Sequence, residues 1–179
     1  MKGTKKLTLC GVLIALASAL SYMERFIPLQ VVIPLPGFKL GMANIVTLIA
    51  LYLLGVKSAY AILILRCILG AAFGGGVSGL MFSLTGGVMS LTVMAWVKNI
   101  PWISVYGVSI FGAAVHNIGQ ICAAIVLMQS VYIGAYLPWL LIVAIFTGCA
   151  TGSAAAGILR ILCKVSPDML GENSSLGEF

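Results

Sequence analysis

Between Lys98 and Arg160 the chain carries no charged side chain, and nearly every residue in that stretch is apolar or small. No soluble fold can present a wet surface from such a segment. Across the whole sequence 8% of residues are charged and 61% hydrophobic, against about 25% charged in soluble domains. The solvent of this protein is therefore lipid. Backbone polar groups in hydrocarbon must be satisfied within the chain, which leaves helices for segments of this kind. A spanning helix takes about 20 largely apolar residues, so the chain is expected to be an all-α integral membrane protein. It reads as one compact bundle of about six transmembrane helices over residues 1–165, with a polar cytoplasmic tail over 166–179.

Proline, glycine and charge punctuate the spans. The first runs from Leu7 to Ile27. It opens on Lys2, Lys5 and Lys6 like a secretory signal, but it is longer than a usual signal core. Glu24-Arg25-Phe26 also offers no small-residue cleavage site, so the segment is expected to be retained. Pro28, Pro34 and Pro36 then forbid a regular helix up to Lys39. That stretch is nonetheless apolar, and it is expected to fold back as a cap or re-entrant loop. The remaining spans are Leu40–Val56, Ser58–Phe73, Val77–Val97, Trp102–Met128 and Leu137–Cys163. Gly74-Gly75-Gly76, Lys98-Asn99-Ile100-Pro101 and Gln129–Tyr136 form the breaks, and Ser166–Phe179 is the tail. The five cysteines are odd in number, contain no Cys-x-x-Cys and lie in or at the ends of apolar segments. They read as small apolar residues rather than a disulfide framework or metal ligands.

Lys2, Lys5, Lys6, Lys57, Lys98, Arg160 and Lys164 all fall on one side of this arrangement. Only Arg25 and Lys39 fall on the other. By the positive-inside rule both termini are expected to be cytoplasmic. The same bias accounts for the net charge of +6, with no clustered basic face of the kind nucleic acid requires. Small residues spaced by four let helix backbones approach in lipid. Ala15 and Ala19, Gly70 and Gly74, Gly75 and Gly79, and Gly148, Gly152 and Ala156 fit that spacing. They serve internal packing.

Ionisable and strongly polar groups within a bilayer are costly, and each is a candidate functional residue. Helical rise converts sequence into depth. Glu24 closes the first span at the outer surface, Lys39 starts the second, and Asn44 lies one turn inward. His116 falls about 21 Å from the inner side, in the outer half. Gln120 is one turn further out on the same face, with Asn117 beside them. Arg66 lies near the midplane, where it can pair with Glu24 or hold an anionic substrate in a bidentate grip. Glu24, Lys39, Asn44, Arg66, His116, Asn117 and Gln120 are thus the candidate substrate-binding residues of an outward-facing pocket. The alternative is that they bond to neighbouring helices as interhelical glue.

Catalytic chemistry is scarce. Of the four acidic residues, Asp168, Glu172 and Glu178 lie in the tail. Paired carboxylates for acid–base work, an Asp-rich magnesium site, a zinc-ligand pattern around the single histidine and a Walker loop are all missing from the sequence. No catalytic residue, metal ligand or cofactor is therefore expected.

The stretch Gly37-Phe-Lys-Leu-Gly-Met-Ala-Asn44-Ile-Val-Thr-Leu-Ile-Ala-Leu, with Lys57 and Leu65-Arg66-Cys-Ile-Leu-Gly70, resembles a bacterial membrane family. Its members are labelled heptaprenyl diphosphate synthase component I, or Gx transporter. The resemblance spans nearly the whole chain, and Lys-Leu-Gly-x-Ala-Asn is its most specific part. More broadly the chain looks like the substrate-binding S components of energy-coupling factor (ECF) transporters. That resemblance implies a six-helix binding subunit for a small molecule, probed from outside and capped by the loop after the first helix. It further implies docking through Ala15 and Ala19 on a transmembrane coupling protein driven by separate ATPases. The component I label implies instead an accessory of isoprenoid diphosphate or quinone synthesis, whose Asp-rich catalytic motifs this chain lacks. A self-sufficient transporter or a scaffold is the third reading.

Overall fold

The computed structural model describes residues 3–26, 39 and 41–165, and these are helical almost throughout. The helices are α1 (Gly3–Met23), α2 (Asn44–Leu53), α3 (Val56–Gly70), α4 (Gly76–Val97), α5 (Val105–Met128) and α6 (Leu137–Val165). Consecutive helices run antiparallel, so each turn lies at one of two ends of the bundle. The end of α1 at Glu24 and the start of α2 share one end, and Lys98 marks the other.

Four stretches are long and apolar enough to cross a membrane: Gly3–Met23, Val56–Val97, Val105–Met128 and Val131–Leu162. The second is two helices, α3 and α4, folded back on each other at a one-turn π segment, Ala71–Gly75. Gly74 makes the reversal possible with φ 96°, in the left-handed region that a side chain would strain. The surface these helices offer is hydrocarbon-like. α1 buries only a stripe, Leu13, Ala17 and Ser21, and leaves Leu7, Val12, Leu16 and Met23 exposed. Such a surface is tolerable only against lipid.

The expected span over Leu40–Val56 is shorter than its apolar run. Gly41 adopts φ 81°, residues 41–43 turn, and the helix begins only at Asn44. Its ten residues cover about 15 Å, half a bilayer, and all but Ile45 and Tyr52 are buried. The other boundaries shift less. α1 gives way to a short 3₁₀ turn at Glu24–Phe26. The fifth span starts at Val105 rather than Trp102, because Ser104 caps it by accepting from the Gly107 N–H at 3.4 Å. The Gln129–Tyr136 break contains a 3₁₀ turn, Val131–Tyr136. The proline-rich stretch up to Phe38 and the 166–179 tail lie outside the described residues.

Glycine builds the tightest packing, between α4, α5 and α6. A Cβ on Gly119 would sit 2.8 Å from the Cα of Gly86, and one on Gly148 would sit 2.6 Å from the Cα of Ile110. Ser90 adds a hydrogen bond to the Gly112 carbonyl across α4 and α5 at 2.7 Å. Ser109 and Thr151 join α5 to α6 at 2.8 Å. The Gly148–Gly152–Ala156 spacing thus marks a real interface. Gly70 and Gly79 have no heavy atom within 4 Å of where a Cβ would stand, so a side chain at either position would find room. Cys10, Cys67, Cys122 and Cys149 are free thiols.

At the opposite end Lys98 donates to the Leu51 carbonyl at 3.1 Å and stands 4.6 Å from the Tyr52 ring centroid. Its cation thereby satisfies one carbonyl in the last turn of the short α2, while partial burial pulls its pKa below the ordinary lysine value.

Replacing Gly119 with Ala sets a methyl against the backbone of α4, where nothing can move aside. Thermal unfolding in detergent is expected to show a loss of about 1–3 kcal/mol. Gly11→Ala, whose Cβ meets nothing within 4 Å, is expected to be neutral or slightly stabilising. Equal effects at the two positions would contradict this packing.

Candidate functional site

At the Glu24 end, charged and polar side chains from α1, α2, α3 and α5 converge on the turn that leads into α2. Glu24 is 4% exposed, and its carboxylate accepts the backbone N–H of Met42. No side chain caps the N-terminus of α2 itself. The glutamate supplies the negative charge that a helix start favours and pins the turn to α1. The turn passes so close to α5 that a Cβ on Gly41 would lie 3.0 Å from His116 Cδ2 and 3.2 Å from Asn44 Nδ2. Only glycine fits there, both for its φ and for this approach.

Arg66, 4% exposed on α3, reaches into the same region. Its Nη2 donates to Asn44 Oδ1 at 3.3 Å and its Nη1 to Ser21 Oγ at 3.5 Å. It is held by uncharged partners from α2 and α1. Glu24 attracts it at longer range, so the expected pairing of the two takes the form of a shared field.

Gln120 clamps the backbone of Lys39. Its Oε1 accepts the Lys39 N–H at 3.1 Å, and its Nε2 donates to the Lys39 carbonyl at 3.0 Å. These two bonds fix which amide atom is oxygen. The second Nε2 hydrogen therefore points to His116 Nε2, which must accept. The imidazole proton then resides on Nδ1, against the Gly86 backbone. The positive charge of Lys39 is felt at both Glu24 and His116.

Six of the residues singled out from the sequence are thus joined in one cluster: Glu24, Lys39, Asn44, Arg66, His116 and Gln120. Asn117 is not among them. It donates to the Leu140 carbonyl at 2.9 Å and ties α5 to α6. Ser21 and Gly86 belong to the cluster or its wall and were not marked out by sequence, whereas Gly41 stands in the Lys-Leu-Gly-x-Ala-Asn stretch. The Ser21–Glu24 spacing on one helix face is the signal that would have found the first of them. Next to the cluster, a cavity of about 470 Å³ is lined by Ser18, Ala19, Tyr22, Gly70 and Phe73. Gly70 lies one helical turn beyond Arg66. Ala15 and Ala19 are both exposed on α1.

Among the described residues no three His, Cys, Asp or Glu side chains are grouped to hold a metal ion. What the cluster offers is hydrogen-bond donors and a guanidinium within an apolar bundle.

Fold and site together define an all-α membrane bundle with a buried polar cluster at one end. The chain belongs to the family described as heptaprenyl diphosphate synthase component I, whose model matches residues 13–158. No curated protein and no solved structure matches it.

Gln120→Leu keeps the side-chain volume and removes three hydrogen bonds, two of them to the Lys39 backbone, at a cost of about 0.5–1.5 kcal/mol each. Trypsin cleavage after Lys39 in the detergent-solubilised protein is expected to accelerate several-fold. An unchanged cleavage rate would show that Gln120 does not hold this segment.

Proposed function

We propose that the chain is a substrate-binding membrane subunit of the S-component kind, serving uptake of a small vitamin- or cofactor-related molecule. The observation that carries this reading is the cluster itself. Several groups costly to bury, from four helices, are gathered at one end of a bundle that packing alone would not require to contain them. The chain has no ATP-binding loop, so partner ATPases supply the energy. A transmembrane coupling protein docks on the exposed small-residue face of α1 at Ala15 and Ala19, where close backbone approach is possible. Release requires alternating access on that partner. In this reading the protein crosses the bacterial plasma membrane several times with both termini cytoplasmic, and the cluster faces outward. The chain itself catalyses nothing.

A second reading draws on the family description: a membrane accessory of isoprenoid diphosphate or quinone synthesis. In that reading catalysis belongs to a soluble partner, since the sequence carries no Asp-rich motif. Co-purification with an Asp-rich synthase and an altered prenyl product on deletion would favour it.

The two readings separate in mass spectrometry of small molecules released from protein purified in mild detergent. The transport reading expects a stoichiometric compound in the wild type that is lost in Arg66→Ala. A wild type that releases nothing and binds a synthase instead would overturn it.

A further inference from the structure

Three buried side-chain atoms among the described residues lack hydrogen-bond partners: Arg66 Nε, Ser83 Oγ and His116 Nδ1. His116 Nδ1 lies against the backbone of α4 at Gly86; the other two belong to the two arms of the α3–α4 hairpin, whose register sets them at one level. Tyr60 and Thr92 hydrogen-bond across it at 2.6 Å. One turn further, a Cβ on Gly87 would stand 2.6 Å from Leu63 Cδ1. Continued by another turn, the same antiparallel pairing sets Arg66 and Cys67 opposite Ser83. The turn after that sets Gly70 opposite Gly79, the two glycines with open space at their Cβ positions. Gly70 also lines the 470 Å³ cavity.

The hydroxyl of Ser83 is unusual for this helix. Thr85 and Thr92 on α4 return their hydroxyls to carbonyls of the preceding turn at 2.7 Å, the ordinary resort of such groups in apolar helices. Ser90 reaches the Gly112 carbonyl. Ser83, 6% exposed, does neither. Arg66 is a donor with no acceptor function, and its partners among the described residues, Ser21 and Asn44, are uncharged. A desolvated guanidinium without a contacting anion is costly, and an oxyanion offers what both orphan donors lack.

We propose that Arg66 Nε and Ser83 Oγ form a two-donor seat for a carboxylate or phosphate group, with the remainder of that ligand extending past Gly70 into the apolar cavity. This deepens the binding reading above and rests on it for the ligand's biological role. Ser83 becomes a ligand-contacting residue, and the substrate class narrows to compounds bearing one compact oxyanion on an apolar body.

The test is thermal unfolding of the full chain in mild detergent with sodium phosphate or sodium butyrate, each against sodium chloride at equal ionic strength. In the wild type at least one oxyanion is expected to raise the midpoint, and the larger shift tells which group fits. Arg66→Gln is expected to abolish the shift. Ser83→Ala is expected to weaken the apparent affinity about tenfold or more, yet to unfold in chloride at or above the wild-type midpoint, because it removes an unsatisfied buried hydroxyl. A merely structural serine would give the opposite, a lower midpoint with the oxyanion response intact. No oxyanion shift in the wild type, or an equal shift in Ser83→Ala, overturns the seat. If purified protein nonetheless releases a stoichiometric neutral or cationic compound, the binding reading survives without the seat. An oxyanion shift lost in Ser83→Ala, with no compound released from purified protein, supports the seat and counts against the uptake role.

Discussion

A guanidinium enclosed in an apolar bundle sets the terms for everything around it. Arg66 cannot give up its proton at any ordinary pH, and hydrocarbon offers its charge nothing. The surrounding chain is arranged to meet it. Ser21 comes from α1 and Asn44 from α2, and Glu24 stands at longer range with its carboxylate on the Met42 N–H. To deliver Asn44, α2 must begin abruptly beside α5, which is why Gly41 turns with φ 81° against His116. His116 is in turn oriented by Gln120, whose amide orientation is dictated by the Lys39 backbone. Removing the charge at the centre would leave each of these groups satisfying a geometry with no purpose.

The short α2 gives this arrangement a mechanical reach. Its first residue bonds Arg66, and its Leu51 carbonyl accepts from Lys98 at the other end of the bundle. One rigid ten-residue helix therefore touches both the polar cluster and the far rim. A displacement at either end must be felt at the other, since nearly all its side chains are packed. For a subunit that must alter its site when it meets a partner, such an element is well placed.

Much of this is legible in the sequence. The uncharged run from Lys98 to Arg160 requires lipid, and proline and glycine mark most helix ends to within a few residues. Helical rise works as a ruler, so Glu24, Asn44, Arg66, His116 and Gln120 can be assigned to one depth range from their positions alone. What depth does not give is direction around the helix axis. Asn117 adjoins His116 in sequence yet faces α6. Small-residue spacing has the same weakness. It identified Gly148 and Gly152, but it also pointed to Gly70 and Gly79, which leave space, and it missed Gly86 and Gly119, whose closeness depends on a partner helix. Ser83 illustrates the limit most clearly. Its residue type is ordinary, and only the missing partner of its hydroxyl distinguishes it.

Arg66 holds the turn into α2 together, separately from the glycine-packed α4–α5–α6 unit. Hydrogen exchange read by mass spectrometry on wild type and Arg66→Met tests it directly. Backbone amides over residues 41–47 are expected to exchange roughly tenfold faster in the variant, a loss of about 1.4 kcal/mol of local protection. Peptides covering Tyr106–Gly112 and Gly148–Gly152 should remain as protected as before. Uniform acceleration across the chain, or no change at residues 41–47, would contradict it.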